Sequence, residues 1–81
     1  NAGANMNDKD FILNPKLWPD SGFVRYCCLM RGKECGFIIN GKEKGKLVVN
    51  LANIFSYTGE EIDHKIYDSV DDLLGDGWRV D

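Results

Sequence analysis

The stretch FVRYCCLMRGKECGFIIN, residues 23–40, decides how the rest of the chain is read. On either side of Arg31-Gly32-Lys33-Glu34 stand runs of aromatic, β-branched and sulfur-bearing side chains, which suit a pleated and partly buried surface. Gly32 is placed to open a two-residue turn, where a type II′ hairpin requires a positive φ that glycine adopts without strain. With Gly32 and Lys33 as the turn, Met30 faces Cys35, Cys28 faces Phe37 and Tyr26 faces Ile39. Side chains alternate along a strand, so these six and Val24 share one face, almost wholly apolar. Phe23, Arg25, Cys27, Leu29, Gly36, Ile38 and Asn40 share the other, which is mixed.

The hairpin also fixes the meaning of the three cysteines. A structural zinc site needs four ligands, commonly in close pairs. Adjacent Cys27 and Cys28 point to opposite faces, and the single histidine, His64, is distant in sequence. A disulfide between Cys28 and Cys35 would join a diagonal pair, whereas bridging requires Cα atoms within about 7 Å. Cys27 lies on the wrong face for Cys35, and an odd count leaves one thiol over. The cysteines are therefore expected to be reduced, buried packing residues, with no metal site and no cofactor.

Outward from the hairpin, FILNPKLWPDSG (11–22) carries two prolines, each of which removes an amide donor and extends the residue before it. It reads as an irregular arm packing through Phe11, Ile12, Leu17 and Trp18. NGKEKG (40–45) is a turn and KLVVNL (46–51) a third strand. LANIFSY (51–57) fits either a helical face or the start of a hairpin. IDHKIY (62–67) is a strand with Ile62, His64 and Ile66 inward. DSVDDLLGDG (68–77) is the clearest helix: Ser69 caps it, acids load its positive end, Gly75 ends it, and Val70, Leu73 and Leu74 dock on the sheet. GWRVD (77–81) returns as a last short strand with Trp78 and Val80 inward. The expected fold is α+β: a small antiparallel meander of four to six short strands with one short carboxy-terminal helix on a face. The tail YDSVDDLLGDGWRV (67–80) loosely resembles the strand, short helix and Gly-Trp strand that close some small bacterial domains of unknown role, and that likeness implies no function.

Eighty-one residues support one domain, taken as 11–81. Residues 1–10 (NAGANMNDKD) are polar and without periodicity, and read as a disordered tether or the remnant of a cleaved tag. An Asn-rich start without methionine suits a chain trimmed of a signal peptide or an upstream lipid anchor. The expected location is therefore extracytoplasmic, with the cytoplasm as alternative. No apolar run approaches the roughly 18 residues of a membrane span. The net charge is −3, unevenly spread: residues 59–81 hold eight acids against Lys65 and Arg79, while residues 1–58 hold eight bases against five acids. The basic cluster KEKGK (42–46) lacks interleaved aromatics, and the acidic third would repel phosphate, so nucleic acid is not expected.

No catalytic motif emerges. His64 lies between Asp63 and Lys65, whose side chains point away from it on a strand, and it remains the one candidate for chemistry. DDLLGDGWRVD (71–81) fails as a calcium loop because Leu74 takes a ligand position. GKEKGK (41–46) lacks the ending of a phosphate loop. The mixed hairpin face is too apolar to stay bare in a small monomer, which nominates Phe23, Arg25, Leu29 and Ile38 as a possible interaction face. Either the arm 11–19 or a second copy of the chain covers it, with the arm, and hence a monomer, favoured. The function expected is a small non-catalytic binding or accessory domain, exported and acting through protein contacts. A cytosolic regulatory or small-ligand-binding module is the alternative, and a thiol- or histidine-dependent enzyme the third option.

Overall fold

The turn at Gly32–Lys33 forms as its residues dictate. Gly32 has φ of +60° and, among the described residues, no non-glycine residue has positive φ, the combination that a type II′ turn requires. In the computed structural model, which describes residues 6–41 and 45–81, this turn joins β1 (Tyr26–Arg31) to β2 (Glu34–Ile39). Met30 pairs with Cys35, Cys28 with Phe37 and Tyr26 with Ile39, the register read from the sequence. β3 (Leu47–Asn50) and β4 (His64–Tyr67) extend the sheet on one side, and β5 (Arg79–Val80) closes it on the other. The order is β4-β3-β2-β1-β5, antiparallel throughout. The domain is a small α+β fold: a five-stranded antiparallel sheet with a short carboxy-terminal helix.

That helix, α2 (Val70–Gly75), carries the chain over the sheet from the β4 edge to the β1 edge. Its start follows the sequence, since the Ser69 hydroxyl accepts from the Asp72 amide at 3.1 Å. Its last residue is Gly75, as the sequence indicates, while the left-handed residue that turns the chain toward β5 is Gly77, with φ of +100°. An earlier helix, α1 (Asp8–Ile12), is capped by Asn7, whose side chain accepts from the Asp10 amide. The segment 1–10 read as a tether is thus helical from Asp8 onward, and residues 1–5 lie outside the described residues. So do residues 42–44 of the basic cluster and turn at 40–46.

The helical layer lies on the mixed face of the hairpin, and the reason is Gly36. A Cβ at that position would stand 3.0 Å from two ring carbons of Trp78 and 2.8 Å from Val49 Cγ1. The glycine leaves a recess in the strand, and the Trp78 indole fills it. Leu73 and Val70 of α2, Phe11 and Ile12 of α1, and Trp18 complete one cluster with Cys27, Leu29, Ile38, Val49 and Tyr67. Leu17, expected in this layer, is instead half exposed, because it sits on a one-turn 3-10 helix (Pro15–Leu17) that presents it outward. The indole nitrogens of both tryptophans are partnered: Trp18 donates to the Phe11 carbonyl and Trp78 to the Tyr67 hydroxyl.

The more apolar face carries a smaller second cluster. Phe37 and Ile39 are buried there outside the main core, with Tyr57 edge-on to Phe37 at a centroid distance of 5.3 Å. Their cover is the connection between β3 and β4, which is neither the helix nor the hairpin allowed by its sequence. It contains a single 3-10 turn, Ile54–Ser56, and is closed where the Leu51 amide donates to the Asp63 carbonyl at 2.8 Å. Strand β4 runs in the opposite phase to that expected. His64 and Ile66 are exposed on this second face, and the inward side chain is Tyr67. The Tyr67 ring packs in the main core, while its hydroxyl accepts from Trp78 Nε1 and donates to the Asp76 carboxylate.

Candidate functional site

Two turns meet at one end of the sheet and shape a groove. In the first, the Asp20 carboxylate accepts from the Gly22 amide at 2.8 Å, and the Ser21 hydroxyl donates to the Val24 carbonyl at 3.1 Å. The Ser21 amide also donates to the Val24 carbonyl, and Gly22 has φ of +98°. Short polar side chains bonded to nearby backbone define such turns without help from a core. This one throws Phe23 into solvent at 95% exposure. In the second turn, Asn53 accepts from the Phe55 amide at 2.9 Å and the Ser56 hydroxyl donates to the Asn53 carbonyl at 2.8 Å. Here Phe55 is thrown outward, 90% exposed. Between the turns lies a cavity of about 470 Å³, lined by Ser21, Phe23 and Val24 on one side and Ile54, Tyr57, Thr58 and Gly59 on the other. The chain leaving its rim carries Glu60, Glu61 and Asp63.

Of the four residues nominated as an interaction face, the structure brings none of the buried ones to the surface. Leu29 and Ile38 lie beneath the helical layer. Arg25 is exposed but turned back, with its guanidinium donating to the Trp18 carbonyl at 2.9 Å. Only Phe23 belongs to the groove. Sequence reading missed Phe55, Ile54 and Tyr57, although Asn53 two positions before Phe55 is a side-chain-to-backbone turn signal that could have located them.

A polar constellation joins the hairpin, β4 and the link between α2 and β5. The Tyr67 hydroxyl accepts from Trp78 Nε1 at 2.9 Å and donates to the Asp76 carboxylate in a short hydrogen bond. Lys65 at 2.9 Å and Arg31 at 2.7 Å complete the surroundings of the same carboxylate oxygen. The Tyr67 hydrogen bond, then Lys65, holds the Asp76 carboxyl down at about 2. Arg31 also lies over the Trp78 ring, 4.6 Å from its centroid, and bonds Glu34 through two nitrogens. Every partner here is internal, so the network closes the core edge.

His64 stands alone as chemistry. It is exposed, and its Nδ1 lies 2.9 Å from the Ile62 carbonyl. The three cysteines are free, but only Cys27 is fully buried, while Cys28 is intermediate and Cys35 exposed. The expectation of three buried thiols holds at Cys27 alone: Cys28 is half-buried and Cys35 exposed, because both lie on the second face, whose cover thins toward the hairpin turn. Burial pushes the Cys27 thiol up to about 12, with Cys28 and Asp8 adding to it. Among the described residues, no three His, Cys, Asp or Glu side chains converge as a metal centre. Nor is any helix among them long and apolar enough to cross a membrane. Comparison with protein-family models, curated proteins and solved structures finds no match for this chain.

Proposed function

We propose that the protein is a small non-catalytic binding domain that acts through protein contacts, and that the groove between the two turns is its contact surface. The observation that carries this reading is the pair of nearly fully exposed phenylalanines, Phe23 and Phe55, on turns whose geometry is fixed by local hydrogen bonds. An aromatic ring held in water on an ordered turn forgoes burial of roughly 150–250 Å². The occupant is a partner segment with an apolar anchor for the space between Phe23, Ile54 and Tyr57, flanked by basic residues that meet Glu60, Glu61 and Asp63. The titratable groups support binding over catalysis. The buried Cys27 thiol is held far above its ordinary value, and the His64 ring is engaged with backbone rather than a carboxylate or thiol.

Selection of peptides from a random library on the immobilised domain tests this. Selected peptides are expected to carry an aromatic or aliphatic anchor next to lysine or arginine, and to shift the amide resonances of residues 21–24 and 54–59. Phe23→Ser and Phe55→Ser should each weaken them at least about tenfold while leaving the unfolding midpoint unchanged, as exposed substitutions do. Peptides that shift other resonances, or that bind both variants unchanged, overturn the assignment.

A further inference from the structure

The hairpin register places three sulfur-bearing side chains on one face near the turn. Met30 is directly opposite Cys35, and Cys28 precedes Met30 by two positions on the same face. The Cys35 Sγ lies 3.8 Å from the Met30 Sδ. Two sulfurs that share one ion at bonds of about 2.3 Å stand about 3.8 to 4.0 Å apart at tetrahedral to trigonal angles. We propose that Cys28, Met30 and Cys35 form a three-sulfur site for a soft monovalent metal ion of the copper(I) class.

The chemistry of the donors selects the ion. Two thiolates and a thioether suit copper(I) rather than zinc, whose structural sites take four ligands drawn from thiolate, imidazole and carboxylate. Access is suitable as well, since Cys35 is exposed while Cys28 and Met30 are half-buried. Binding forms the metal–sulfur bonds and releases the two thiol protons to solvent. Cys27 takes no part, because its side chain points to the other face and is sealed in the core. The sequence pattern hid this site because Cys28 adjoins Cys27, which faces the other way, and because its third donor is a methionine.

Anaerobic titration of the reduced full chain with copper(I), supplied as its complex with bathocuproine disulfonate, tests the assignment. One copper per chain should be withdrawn from the chelator, and X-ray absorption should show a sulfur-only shell. Cys28→Ser and Cys35→Ser should each lower the affinity by at least about a hundredfold, and Met30→Leu by about tenfold, at unchanged circular dichroism. Cys27→Ala should bind as the wild type does. Failure to compete with the chelator, full affinity in Met30→Leu, or a loss in Cys27→Ala equal to that in Cys35→Ser would each overturn the site.

Discussion

The Trp78 ring occupies the space that a side chain at position 36 would need, with two ring carbons 3.0 Å from where the Cβ of an alanine would stand. The neighbouring Val49 Cγ1 would be closer still, at 2.8 Å. Both obstacles are packed core atoms rather than flexible ends, so Gly36→Ala forces the indole or the strand to move. A loss of about 1–3 kcal/mol is expected, read as a lower urea midpoint at unchanged slope. A midpoint equal to that of the wild type would mean that Trp78 does not seat on Gly36.

The Asp76 carboxylate links acid stability to one side chain. Its folded-state value of about 2 lies below the ordinary 3.8, held there by Tyr67 and then Lys65. Its contribution is therefore fully present above about pH 4 and is lost as pH falls toward 2. Asp76→Asn should be less stable than the wild type at pH 6, and the gap should narrow by pH 2, as followed by thermal unfolding across that range. Tyr67→Phe tests the same network from inside. It leaves the buried Trp78 Nε1 without its acceptor, at an expected cost of about 1–3 kcal/mol.

Helix α2 is too short to persist without docking, so its stability rests on its apolar side and its cap. Leu73 is completely buried, and Leu73→Ala should cost about 2–5 kcal/mol. Ser69→Ala removes the acceptor of the Asp72 amide and should cost about 1 kcal/mol. Both are read from urea midpoints, and an unchanged Leu73→Ala midpoint would contradict the docking.

The three thiols should separate by reactivity. In the folded protein an alkylating reagent is expected to modify Cys35 first, Cys28 more slowly, and Cys27 only after denaturation, because Cys27 is buried and its thiolate is suppressed. Intact mass in denaturant should show three alkyl groups. A chain that takes up only one there contains a disulfide.

What could be read from the sequence were the features set by neighbouring residues. Gly32–Lys33 fixed the register of β1 with β2, and Ser69 with Asp72 marked the start of α2, because each depends on local backbone geometry. The seating of the helical layer depends on Gly36 meeting Trp78 across more than half the chain, which no local pattern shows, although the arm expected over the mixed face does lay Phe11 and Trp18 there. The phase of β4 was missed for a related reason. Ile62, His64 and Ile66 look more apolar as a set than Lys65 and Tyr67, but it is Tyr67 that both packs and supplies a partner for Trp78. At the groove, Phe23 was legible as an unsatisfied apolar residue, whereas the exposure of Phe55 follows from a turn whose sequence also fits a helix.

The Asp8 carboxylate accepts from the Val80 amide at 3.1 Å across 72 positions, so the first helix and the last strand sit side by side at one edge of the sheet. The two extremities of the fold are therefore neighbours, and a short linker can join them without reshaping the sheet. New ends can then be opened in the connection between β3 and β4, whose flanks are already tied by Leu51 and Asp63. Such a rearranged chain would keep both layers while freeing the Phe55 turn, separating what that turn contributes as a lid on Phe37 from what it contributes as a contact.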